Sequence, residues 1–137
     1  LRPRSAVAGF RDGADPRVDA SLLVTADLPN GARAVLDANM LAPGDMSIVA
    51  TGTRGTATVP NFVAVDTDDR LILTVDGVET TEHHGTTSTY THQLQALIAA
   101  VRDGAGFPTD ADNAIANMEI VDECYRLAGL PVRASAL

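Results

Sequence analysis

The hydrophobic period of this chain changes once, and that change constrains its fold more than any other feature. Up to His84 apolar and polar residues alternate in short runs; from Ser88 or Thr89 onward they recur at helical spacing. Strands first and helices last is the α+β order, with helices set against one face of an open, mostly antiparallel sheet. The spacing predicts a helix from near Ser88 to Gly104, carrying Tyr90, Leu94, Leu97, Ile98 and Val101 on one side. A second helix is expected from an N-cap at Thr109 to a stop at Gly129, with Asp110 and Asp112 in the first turn, where the helix dipole favours negative charge. Its apolar stripe reads Ala114, Met118, Val121, Tyr125 and Ala128, widened by Ile115 and Cys124. Such a helix needs a surface to cover.

The strands supply one. Arg4 to Phe10 reads as a short strand, and a loop punctuated by Gly13 and Pro16 follows it. Val18 to Leu28 and Ala32 to Met40 alternate on either side of Pro29-Asn30-Gly31, forming a hairpin that Pro43 and Gly44 break. Asp45 to Thr51 and Thr56 to Val59 make a second hairpin across Gly52 and Gly55. A further strand is expected over Asn61 to Asp66, and Arg70 to Asp76 turns at Gly77 into Val78 to His84. One sheet face would carry Leu22, Val24, Leu36, Ile48, Leu71 and Leu73 beneath the helices. The other mixes Leu23, Val35, Val49 and Ile72 with threonines, too apolar to be left in water, so it is expected to meet another sheet. The competing reading is a β-branched face tolerated in solvent.

A chain of 137 residues can bury one core, so residues 1–137 are read as a single domain. The net charge of −8 argues against a nucleic-acid partner, which is held by clustered cations. No apolar run is long enough to span a bilayer. All ten cations are arginine, so chemistry that needs a lysine has no residue to carry it here. The single cysteine, Cys124, is expected to be a buried structural thiol, and a reducing, cytoplasmic location follows. LRPRSAVAGF lacks the apolar core of a secretory signal, and Leu1 stands where a start methionine would, so further chain is expected before it.

Few residues point to chemistry. His83, His84 and His92 with Glu79 and Glu82 are the only group of metal-ligand types, but neighbouring histidines on a strand face opposite ways, so no metal site is expected. No G-x-S-x-G elbow is present. Gly52 with Gly55 and Gly104 with Gly106 lack the strand-turn-helix context of a dinucleotide cradle. Asp68-Asp69 reads as a turn, and no residue is assigned a catalytic role.

The order of these elements resembles the C-terminal domain of the glucose-fructose oxidoreductase and inositol dehydrogenase family. VDASLLVTADLPNGARAVLDAN, the GTRGTATV hairpin, Tyr90 with Gln93-Leu94, and DADNAIANMEIVDECYRLAGLPV carry the resemblance, which covers essentially the whole chain. It implies the substrate-side and oligomerisation domain of an NAD(P)-dependent oxidoreductase acting on a sugar, cyclitol or related polyol. NAD or NADP is expected in the full-length enzyme and none on this chain alone. The Rossmann domain and the family's catalytic residues have no counterpart here, so the chain alone is expected to be inactive. By position the resemblance offers Asn39, Asp45, Tyr90 and Gln93 as substrate contacts. It also implies a homodimer or higher oligomer through the face bearing Leu23, Val35, Val49 and Ile72. A non-enzymatic, self-associating scaffold with the same fold is the alternative.

Overall fold

A computed structural model describes residues 1–13, 15, 18–42, 44–107 and 109–132. Seven strands precede two helices: β1 Arg2–Gly9, β2 Ser21–Asp27, β3 Arg33–Asn39, β4 Ile48–Gly52, β5 Gly55–Val59, β6 Arg70–Val75 and β7 Val78–His83, then α1 Thr89–Asp103 and α2 Ala111–Leu127. The class is α+β, as the change of period requires. The strands form two antiparallel sheets, ordered β1-β2-β3 and β4-β5-β6-β7. They belong to two compact units, one of Leu1–Gly44 with Pro108–Leu137 and one of Asp45–Phe107. The breaks expected at Pro16 and Pro43 lie outside the described residues.

In the first unit, cross-strand pairs Val24↔Leu36 and Leu22↔Ala38 put the expected apolar residues on one face. There Ala6, Val24 and Cys124 are buried together, with Leu22, Ile120 and Ala128 packed around them. Ala26, fully buried, extends this layer. The face that α2 presents overlaps one edge of the expected stripe, sharing Cys124 and Ala128 with it and adding Ile120. Ile120, Cys124 and Ala128 are the residues that meet the sheet, whereas Ile115 and Met118 are each 59% exposed. At 100° per residue the packed line is rotated by about 80° from the middle of the sequence stripe. The small side chains Ala6, Cys124 and Ala128 let helix and strand approach closely, and the bulkier stripe is left outside. Burial pushes the Cys124 thiol above its ordinary pKa, so it stays protonated as the sequence reading of a structural thiol requires.

The α2 cap also differs by one residue. Asp110, not Thr109, is the N-cap, its carboxylate accepting from the Asn113 N–H at 2.9 Å. A carboxylate at that point adds dipole compensation to the capping bond. Near the other end, the Tyr125 hydroxyl donates to the Asp19 carboxylate and ties α2 to the segment entering β2. Tyr125→Phe should therefore lower the stability of this unit by about 1–2 kcal/mol in urea denaturation, since it removes a hydrogen bond to a charged acceptor.

In the second unit, the pairs Val49↔Thr58↔Ile72↔Thr81 and Thr51↔Thr56↔Thr74↔Glu79 gather a threonine-rich face. Ile48, Val59, Leu71 and Leu73 lie on the other. Asp76 and Gly77 have φ of 50° and 80°, the left-handed pair that a two-residue β6–β7 hairpin demands. The strand expected over Asn61 to Asp66 is absent. The Asn61 side chain instead accepts from the N–H groups of Val63 and Ala64, and the Ala64 carbonyl receives Thr67 N–H and Thr67 Oγ1–H. Those local bonds fold the segment into turns, and among the described residues the Phe62 N–H, bonded to the Met46 carbonyl at 2.8 Å, is its one backbone link to the strand side. Helix α1 starts at the Ser88 cap and ends at Gly104, as its sequence predicts. None of its residues is buried.

Candidate functional site

A set of charged and hydrogen-bonded side chains lies wholly within the second unit, where β6 begins and β7 ends. The Asp76-Gly77 hairpin fixes the register, pairing Arg70 with His83 and so bringing Asp68 and Asp69 beside the two histidines. Arg70 binds Asp68 through both arms of its guanidinium, Nε at 2.8 Å and Nη2 at 2.7 Å. Asp69 accepts from His83 Nδ1 at 2.7 Å and from the Gly85 N–H at 2.9 Å. It holds the start of the β7–α1 connection in place. A cavity of about 250 Å³ opens here between Val59, Asp68, Asp69, His84, Thr87 and His92.

The Arg70 guanidinium holds the Asp68 carboxyl down at about 2, and the His83 and Gly85 hydrogen bonds lower that of Asp69. Both shifts are downward in the folded chain. The stability they confer is complete above the ordinary carboxylate pKa and is lost as pH falls below it, for Asp68 down to about 2. The urea midpoint of the second unit should fall across that window, and Asp68→Asn should flatten the fall. An unchanged profile in the variant would remove Asp68 from the account.

The residues expected to contact substrate fall in both units. Asn39 ends β3 in the first unit, where its side-chain oxygen accepts from the Leu41 N–H at 2.8 Å, a local turn bond. Asp45 is exposed ahead of β4 in the second unit. Tyr90 and Gln93 share the first turn of α1; Tyr90 is 75% exposed, and neither lines the cavity, although His92 between them does. The oligomer-face residues divide likewise. Leu23 and Val35 are exposed on the first sheet, with Val7 beside Leu23 as an addition the sequence reading missed. Val49 is exposed and Ile72 half-buried on the second. The Asp69–His83 pair was also missed, yet counting back from the Asp76-Gly77 turn places these residues on adjacent strand ends. Among the described residues, no group of three or more histidine, cysteine, aspartate or glutamate side chains is placed to hold a metal ion. No helix among them is long and apolar enough to cross a membrane.

No protein-family model matches the sequence, and no curated protein matches it. Solved structures match the fold. A protein of Bacteroides fragilis NCTC 9343 described as an oxidoreductase superposes with a TM-score of 0.70 at 17% identity, over 93% of this chain and 45% of its own. Biliverdin reductase from Synechocystis sp. PCC 6803, solved with biliverdin and NADP+, gives 0.67 at 18% identity, over 91% of this chain and 39% of its own. The Bacillus subtilis protein yvaA, also described as an oxidoreductase, gives 0.69 at 14% identity, over 93% and 43%. The chain thus spans less than half the length of the structures it matches. What it shares with them at these identities is the fold.

Proposed function

We propose that this chain is the C-terminal, substrate-side and oligomerisation domain of an NAD(P)-dependent oxidoreductase acting on a sugar, cyclitol or related polyol. The observation that carries the reading is the pattern of coverage. Over 90% of this chain superposes on less than half of each of three proteins described or named as oxidoreductases or reductases, one of them solved with NADP+. A nucleotide-binding domain outside this chain completes the enzyme in this reading. Among the described residues Gly52 and Gly55 bracket a hairpin between two antiparallel strands, not a strand-to-helix turn, so they do not fit a dinucleotide phosphate. The contribution of this chain is to bind and orient substrate, with Asn39, Asp45, Tyr90 and Gln93 as polar groups able to bond hydroxyls, and to associate with a second copy.

The exposed Leu23 and Val35 on the first sheet, and Val49 with the half-buried Ile72 on one face of the second, support that association, because apolar side chains on sheet faces gain by leaving water. A homodimer is expected in light scattering, at twice 14.3 kDa, and Val49→Arg should shift it to monomer. A wild-type monomer at high concentration would contradict the interface. The same face also fits a self-associating scaffold without activity. Calorimetry with NADH should give no saturable heat for this chain alone. Saturable binding would overturn the division of labour between the two halves.

A further inference from the structure

Three of the ten arginines of this acidic chain stand around one carboxylate on the first sheet. The ladder aligns Arg2↔Asp27↔Arg33 as one row across β1, β2 and β3, so their side chains leave the same face. Arg4 joins them because of a bulge. Pro3 pairs with Ala26 and Ser5 with Thr25, leaving Arg4 as the extra residue of β1. A bulge of this kind turns two successive side chains to one side. Ser5 duly meets Thr25, their hydroxyl oxygens 2.6 Å apart, and Arg4 Nε reaches the Asp27 carboxylate, also at 2.6 Å. Arg33 Nε lies 3.8 Å from the other Asp27 oxygen. The three guanidinium groups and Asp27 line a hollow of about 460 Å³, walled by the turn residues Leu28 and Pro29.

The charge balance defines what fits. Three cations against one carboxylate leave two positive charges unmatched, in a chain whose net charge is −8. Guanidinium forks match phosphate oxygens in planar, paired geometry. We infer that the hollow formed by Arg2, Arg4 and Arg33 is a binding site for a dianionic phosphate, with room beside the turn for the organic part of a phosphate monoester. This inference rests on the first unit alone, at the turn end of the sheet face that also bears Leu23 and Val35.

The arginine Nε–Hε signals of the full 137-residue chain report binding directly in 1H–15N NMR. They are followed at about pH 8, where phosphate monoesters are dianionic, with ionic strength held constant by chloride. Inorganic phosphate and glucose 6-phosphate are the two probes. Saturable shifts at Arg4 and Arg33 are expected. Arg33→Gln should weaken binding about tenfold, through loss of one charged donor. Asp27→Asn should tighten it several-fold, because the competing carboxylate is gone, and Arg102→Gln in the last turn of α1 should change nothing. Tighter binding of glucose 6-phosphate assigns a monoester as the ligand; equal or weaker binding assigns free phosphate. The inference is overturned if the shifts fail to saturate, if chloride alone reproduces them, or if Arg33→Gln alters the oligomeric mass and leaves phosphate binding unchanged.

Discussion

Gly55→Ala should unfold the sheet of β4 to β7. Gly55 has φ of +155°, and a Cβ built on it would stand 1.7 Å from the carbonyl oxygen of Thr74 on the neighbouring strand. The obstacle is backbone of the neighbouring strand, so no side-chain rotation relieves it. To admit one methyl group, β5 and β6 must separate at the end where Gly55 pairs with Val75. Overpacking and strain of this kind cost about 3–5 kcal/mol. A unit of about 60 residues has only about 3–9 kcal/mol to lose. The expected result is loss of the cooperative transition of this unit in urea, followed by amide hydrogen exchange across β5 and β6. Gly52→Ala is the control. Its added Cβ meets only the Gly55 carbonyl oxygen, at an ordinary 3.9 Å, so it should change stability far less. Equal behaviour of the two variants would mean that the β5–β6 approach is looser than described.

The second large effect is expected at Val24. This side chain is 5% exposed, between Ala6 on β1 and Cys124 on α2. Val24→Asp would place a carboxylate among apolar groups with no cation in the cluster to pair it. Burying such a charge unpaired costs about 3–5 kcal/mol, which exceeds what the small contact of α2 with β1 can supply. Helix α2 should then leave the sheet. The lone thiol reports this without added probes: Cys124 is buried in the native chain, so it should react slowly with a thiol reagent, and at least tenfold faster in the variant. Val24→Ala, which loses volume and adds no charge, should cost about 1–3 kcal/mol and keep the thiol protected under native conditions. Rapid labelling of the unaltered chain would show that α2 is not held as described.

Regular repetition made most of the fold legible. Alternation in Leu22-Val24-Ala26 against Leu23-Thr25 reports two chemically different sides, and the ladder confirms which residues share each one. Ser88 and Gly104 are chemically distinctive ends, so α1 could be delimited closely. The readings that differ from the structure involve competition between local and long-range partners. The Asn61 side chain accepts from the N–H groups two and three residues on, and a run that looks extended becomes a turn. Helical spacing places Cys124 and Ala128 on the apolar stripe of α2, and both do pack on the sheet; the contact is turned toward Ile120 and away from Ile115 and Met118, and pattern alone does not encode how near two backbones come. The arginine row needs a bulge at Arg4 that no residue type announces, whereas the Asp69–His83 pair was available from the Asp76-Gly77 turn by counting. Asn39, Asp45, Tyr90 and Gln93 rest on positional resemblance, and they divide between the two units.

The most direct test of the central claim, that this chain is the substrate-side part of a larger NAD(P)-dependent oxidoreductase, is the size of the native polypeptide. An antibody raised against the chain can be used to blot extracts of the cells that make it. The account predicts a band larger than 14.3 kDa by one nucleotide-binding domain, on the order of 100–200 residues. A band at 14.3 kDa alone would contradict it, and the self-associating scaffold would then be the better description.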